Sequence, residues 1–166
     1  MPTIADTFIA ELEQETAATR RVLERIPGEK FDWKPHVKSF SLGELAYHVA
    51  TIPRGVSGMV APDEFDVSTM KHPKPGPPSE LLTTLDASVA AAKESLAAID
   101  DERMMAIWKV IREGQTMLEL PRVAAIRAIL LNHWYHHRGQ LSVYLRLLDV
   151  PVPAVYGNSA DENPLE

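Results

Sequence analysis

The sequence predicts an all-α protein built from four amphipathic helices, over about residues 4–26, 41–60, 79–99 and 121–148. Three observations carry that reading. Apolar residues recur near a 3.6-residue period in each segment. Recognised start and stop signals bracket the segments. The one stretch of different character, residues 103–120, is short.

In the first helix the apolar stripe is Ile4, Phe8, Leu12, Val22, Leu23 and Ile26. Thr3 can cap its start, with Asp6 in the first turn, and Pro27-Gly28 ends it. Residues 27–40 connect, and Phe31 and Trp33 are expected to close one end of the core. Ser41-Leu42-Gly43-Glu44 then matches a capping box, in which the Ser hydroxyl and the Glu carboxylate each accept a backbone N–H. The second stripe is Leu42, Leu45, Val49, Ile52 and Val56, and Pro53 inside it should kink the helix. Residues 61–78 hold five prolines and read as a long loop, of the length that a crossover between parallel helices needs. The third helix is expected to be capped by Ser79, with Leu82, Leu85, Val89, Ala92, Leu96 and Ile99 as its seam. Residues 103–120 fit a short extended excursion, either a hairpin turning near Glu113-Gly114 or an irregular loop. Pro121 opens the last and longest helix, and Pro151 and Pro153 follow its end. The acidic stretch from Asp149 onward reads as a partly ordered tail.

The 166 residues, 45% hydrophobic and 24% charged, fit one globular domain, taken as 1–166. A net charge of −6 argues against nucleic acid and anionic membrane as partners, because both are held by basic surface. No segment reads as a secretory signal or a membrane span, so a cytoplasmic location is expected. The absence of Cys excludes disulfides, thiolate nucleophiles, iron–sulfur clusters and Cys-type zinc sites. Any metal must be held by nitrogen or oxygen.

The chemistry concentrates in Asn132-His133-Trp134-Tyr135-His136-His137-Arg138-Gly139-Gln140, which holds three of the six histidines. On a uniform helix of about 100° per residue, with Ile126 at zero, Leu130, Leu141, Tyr144 and Leu148 define the buried stripe. His133 and His137 fall inside it, and His136 lies on its flank. The i, i+4 spacing lets two imidazoles reach one ion. Burying two neutral imidazoles unpaired costs about 1–3 kcal/mol each, and a metal removes that cost. His48, on the apolar stripe of the second helix, is the best third ligand; His36 and His72, in loops, are weaker candidates. The proposed ligands are therefore His48, His133 and His137, and three protein ligands leave an open position of the catalytic kind. His136 and Arg138 are candidates to sit behind the ligands and orient them, and Arg138 and Gln140 could orient a ligand or bind an anion, although ordinary surface, interface or hydrogen-bonding roles compete for all three. Tyr47 and Tyr135 read as packing residues, and Glu44 is accounted for by the capping box.

Ser41-Leu42-Gly43-Glu44-Leu45 with His48, the run Asn132 to Leu141, Val150-Pro151-Val152-Pro153 and the stretch Tyr156 to Glu162 together resemble the DinB family of DinB/YfiT-like metalloenzymes. The resemblance spans nearly the whole chain and is most specific over 132–162. It implies a four-helix bundle of DinB/YfiT type. One His of the second helix and an H-x-x-x-H pair of the last would bind a divalent metal, often nickel or zinc, at positions matching His48, His133 and His137. It also implies a frequent homodimer. Some relatives are thiol-dependent transferases or isomerases that use a low-molecular-weight thiol.

The expected function is that of a metal-dependent enzyme, transferase-like or hydrolase-like, acting on a small-molecule substrate. No side chain is assigned as catalytic; the reacting group would be water or a substrate thiol activated by the ion. The alternatives are a non-catalytic metal-binding stress-response or interaction module, and a helical protein whose histidines are merely satisfied polar groups.

Overall fold

The computed structural model describes residues 1–70 and 74–164; His72 lies outside the described residues. The chain is mostly helical and carries a small three-stranded sheet. In order come α1 (Ile4–Leu23), α2 (Leu42–Val60), β1 (Glu64–Asp66), α3 (Leu81–Ala97), α4 (Asp101–Met105), β2 (Ile107–Arg112), β3 (Gln115–Pro121) and α5 (Arg122–Ala125). A π-helical stretch (Ile126–Asn132) and α6 (His133–Leu147) complete them and run on from α5 without a break.

The expected start signals operate at the first two helices. Thr3 and Asp6 form a full capping box on α1, and Ser41 and Glu44 form one on α2. Ser79 does not cap α3. Prolines 77 and 78 set a short 3₁₀ turn, Pro78–Glu80, and Glu80 takes the cap position with no side-chain bond. The seam residues Leu85, Val89, Ala92, Leu96 and Ile99 are buried as their spacing required.

Helix α2 packs against α3 and α6, and α1 packs against the same two. Pro53 is buried within α2, which continues through it. The bond a Pro cannot make leaves the Val49 carbonyl without its helical donor. The indole Nε1–H of Trp134, wholly buried on α6, donates to that carbonyl at 2.8 Å. The next amide, Arg54 N–H, donates to Ser88 Oγ on α3 at 3.0 Å. The proline thus becomes a point where both neighbouring helices are hydrogen-bonded to α2.

Residues 107–121 form the hairpin. Glu113 and Gly114 have φ of 51° and 79°, the pair of left-handed residues that a two-residue type I′ turn needs. The parallel pairing of β1 with β2 was not expected, because the proline-rich segment was read as loop throughout. Trp108 anchors the sheet: it is wholly buried and its Nε1–H donates to the Met59 carbonyl.

Arg122 is also wholly buried. Its guanidinium donates to the carbonyls of Val60, Pro62 and Arg103 and to the Asp63 carboxylate, closing the C-terminal end of α2. The C-terminal segment is a packed strap rather than a partly ordered tail. Glu162 pairs with Arg21 on α1 and with Arg25 just past its end, and Asp161 pairs with Arg146 on α6. Two of the acids behind the tail reading, Asp161 and Glu162, are groups that hold it down.

Candidate metal centre

Helix α2 supplies His48 and α6 supplies His133 and His137, and the three rings converge. Their potential ligand atoms all lie within 4.8 Å of one another, and the ring centroids are 4.5–5.2 Å apart. The Nε2 atoms of His48 and His133 are 3.3 Å apart. A tetrahedral ion with nitrogen ligands at about 2.0–2.1 Å requires neighbouring nitrogens about 3.3 Å apart. The donor set therefore fits a divalent ion: three imidazoles, at a spacing an ion would bridge.

The far nitrogens fix how the rings present themselves. His133 Nδ1–H donates to the Ile129 carbonyl at 3.2 Å, and His137 Nδ1–H donates to Gln140 Oε1 at 2.7 Å. With the proton held on Nδ1, each ring turns an unprotonated Nε2 toward the centre. Burial pushes both rings below the ordinary His value. The Ile129 bond opposes this at His133, the Gln140 bond opposes it at His137, and neighbouring imidazoles add to the lowering in both. Neutral imidazole is the form that binds metal.

The histidines are half-buried rather than enclosed. On a uniform wheel Trp134, Arg138, Leu141 and Leu145 would fall at about 60–120°, yet these are the buried residues of α6. The wider turns of Ile126–Asn132 absorb roughly one residue of rotation. The buried face is thereby carried past the histidines, which end on its flank. The wheel picked out three residues that do converge but placed them too deep.

Two clefts flank the triad, and Phe40 lines both, its ring 5.9 Å from that of His48. One, of about 200 Å³, runs past His48 between Tyr47, Thr51, Lys74 and Pro75, with Glu44 at its edge. The other, of about 260 Å³, adjoins His137 and is lined by Lys38, Ser39, Gln140 and Tyr144. The Tyr47 hydroxyl donates to the Pro77 carbonyl and so pins the proline-rich loop beside the first cleft. Gly76 permits this: a Cβ there would lie 2.6 Å from the Tyr47 oxygen. Phe31 and Trp33 meet Tyr47 and Tyr144 edge-on, at 6.1 and 5.7 Å, and hold the 27–40 connector against the site.

The expected orienting residues are corrected by these contacts. His136 is exposed, its ring 4.9 Å from that of His137, and the Nδ1 bonds of His133 and His137 go to Ile129 and Gln140 rather than to it. Arg138 is only 2% exposed and faces α1, where it pairs with Glu15 at 2.7 Å and reaches Thr19 and the Tyr156 hydroxyl. Tyr135 and Tyr156 lie under its guanidinium at 5.2 and 5.0 Å. Of the two residues read as able to orient a ligand or bind an anion, Gln140 is the one that meets the triad, its Oε1 accepting from His137 three residues earlier. His36 bonds the Lys38 amide and stands outside the group of ligand atoms.

A helical protein with a three-histidine centre on the flank of its last helix is the class this geometry defines. The DinB family model matches residues 1–164, and the chain belongs to the DinB family. It is 24% identical over 163 residues to the uncharacterized protein YrdA of Bacillus subtilis, covering 95% of this chain and 90% of that one. It shares its fold with a DinB-like protein of Bacillus cereus (TM-score 0.66, 22% identity, 90% of this chain and 95% of that one). It also shares it with the DinB-like protein YjoA of B. subtilis (TM-score 0.70, 16% identity, 90% and 97%).

Proposed function

We propose that this protein is a metal-dependent enzyme, transferase-like or hydrolase-like, with His48, His133 and His137 as the ligands of a divalent ion, nickel or zinc. The observation that carries the reading is the convergence of three imidazoles beside two open clefts, with no carboxylate in the group of ligand atoms among the described residues. An ion there supplies Lewis acidity, lowering the pKa of a water or an incoming low-molecular-weight thiol. The chain's own part is to orient and to admit. Ile129 and Gln140 hold two rings with Nε2 inward. Phe40 stands against His48, and the clefts give a small molecule access from either side of it. The chain has no Cys, so a thiol in the reaction must be a substrate.

In the same reading the four long helical segments form a four-helix bundle of DinB/YfiT type, and the protein works in the cytoplasm as a homodimer. No helix of the described residues is long and apolar enough to cross a membrane. Val143 and Leu147, exposed one turn apart on α6, are the apolar residues that a second copy would cover.

His133→Ala tests the catalytic reading. The variant should keep its helical circular dichroism, lose bound metal, and lose activity toward a thiol and an electrophile. Full activity in the metal-free variant would overturn the mechanism.

A further inference from the structure

We infer that the substrate taken at this centre is an anion, a small molecule whose carboxylate is drawn in by the charges of Lys38 and Lys74, one in each of the clefts that Phe40 lines. The inference rests on the metal reading above and names the substrate class for that site.

Three neutral imidazoles leave the full positive charge of a divalent ion uncompensated. At His133 and His137 the groups behind the rings do not compensate it either, being a carbonyl and an amide oxygen rather than carboxylates. Across both clefts the only acidic side chain among the described residues is Glu44. Its carboxylate is already engaged, by the Ser41 N–H at 2.6 Å and by Lys34 at 3.2 Å. Lys74 in one cleft and Lys38 in the other have no ion-pair partner among the described residues. A chain with net charge −6 thus presents a locally positive mouth at its candidate centre. Such a field raises the local concentration of anions and selects for them. Phe40, which lines both clefts, and Tyr47, beside Lys74 in the first, supply apolar surface next to these cations.

The test uses tag-free protein loaded with cobalt(II) and two thiols of matched size, 3-mercaptopropionate and 3-mercaptopropan-1-ol. Binding is followed by the thiolate-to-cobalt absorption band. The carboxylate thiol is expected to bind about three- to ten-fold more tightly than the alcohol, the range that two partly exposed ion pairs supply. In the Lys38→Met/Lys74→Met double variant that ratio should fall at least about three-fold. An unchanged ratio would overturn the inference, because the preference would then come from the ion alone; so would equal affinities in the unsubstituted protein. If cobalt fails to bind, or neither thiol gives the band, the metal reading itself has failed and this inference falls with it. The ligand-field bands of cobalt, recorded before thiol is added, separate the two failures.

Discussion

Arg138 and Glu15 show how much depends on single residues away from the histidines. Arg138 is 2% exposed and Glu15 6%, and each accounts for the other's charge. Removing one partner of a buried ion pair leaves the other charge uncompensated, at a cost of about 3–5 kcal/mol. Glu15→Ala should therefore lower stability by about that amount, read from the urea midpoint, whereas Glu13→Ala, at an exposed pair with Lys93, should cost under about 1 kcal/mol. Equal effects from the two would contradict the account. The sequence pointed to His48, His133 and His137 because two imidazoles one turn apart on an apolar stripe, with a third on the stripe of another helix, can share one ion. It did not reveal Arg138, since an Arg following two histidines reads equally well as solvated. Its burial depends on a Glu that lies 123 residues earlier in the chain.

At the scale of elements, signals confined to a few neighbouring residues were legible and long-range ones were not. The capping box at Ser41 is local, and Ser41→Ala should cost about 1 kcal/mol, measurable by urea denaturation. The Glu113-Gly114 turn is equally local, since both residues need left-handed backbone. The pairing of β1 with β2 joins Glu64 to Lys109 across the whole of α3, and nothing near Glu64 announces it. The π-helical stretch lies between. It leaves no mark on the helical period of α6 itself, only on the phase between Ile126 and Trp134. If these turns absorb one residue, deleting exposed Ala128 should let a plain α-helix run through with Trp134 and the histidines still in phase. The deletion variant should then retain near-normal metal content. Loss of the metal with the helices intact would show that the stretch does not absorb the rotation as described.

The whole molecule is closed by ion pairs that join distant segments: Glu11 with Arg127, Glu162 with Arg21 and Arg25, and Asp161 with Arg146. The Arg127 guanidinium, with a further hydrogen bond from Tyr135, holds the Glu11 carboxyl below its ordinary range. Arg146 and the Val152 amide do the same for Asp161. A carboxylate lowered in the folded state adds stability above its unfolded pKa, near 4, and loses it as pH falls through the folded value. Stability should therefore decline on acidification below about pH 4.5. Glu11→Gln should flatten that decline while costing under about 1 kcal/mol at neutral pH, since the pair is partly exposed. An acid limb identical in the variant would remove Glu11 from the explanation.

The central claim is that three histidines on two helices hold one divalent ion with a side left open. X-ray absorption spectroscopy of tag-free protein, with metal content measured on the same sample, tests it most directly. The account predicts about one ion per chain, bound by three imidazole nitrogens at about 2.0–2.1 Å plus a non-protein ligand, and loss of that signal in His133→Ala. Protein that stays metal-free after loading with nickel or zinc, or a site closed by a fourth protein ligand, would contradict it.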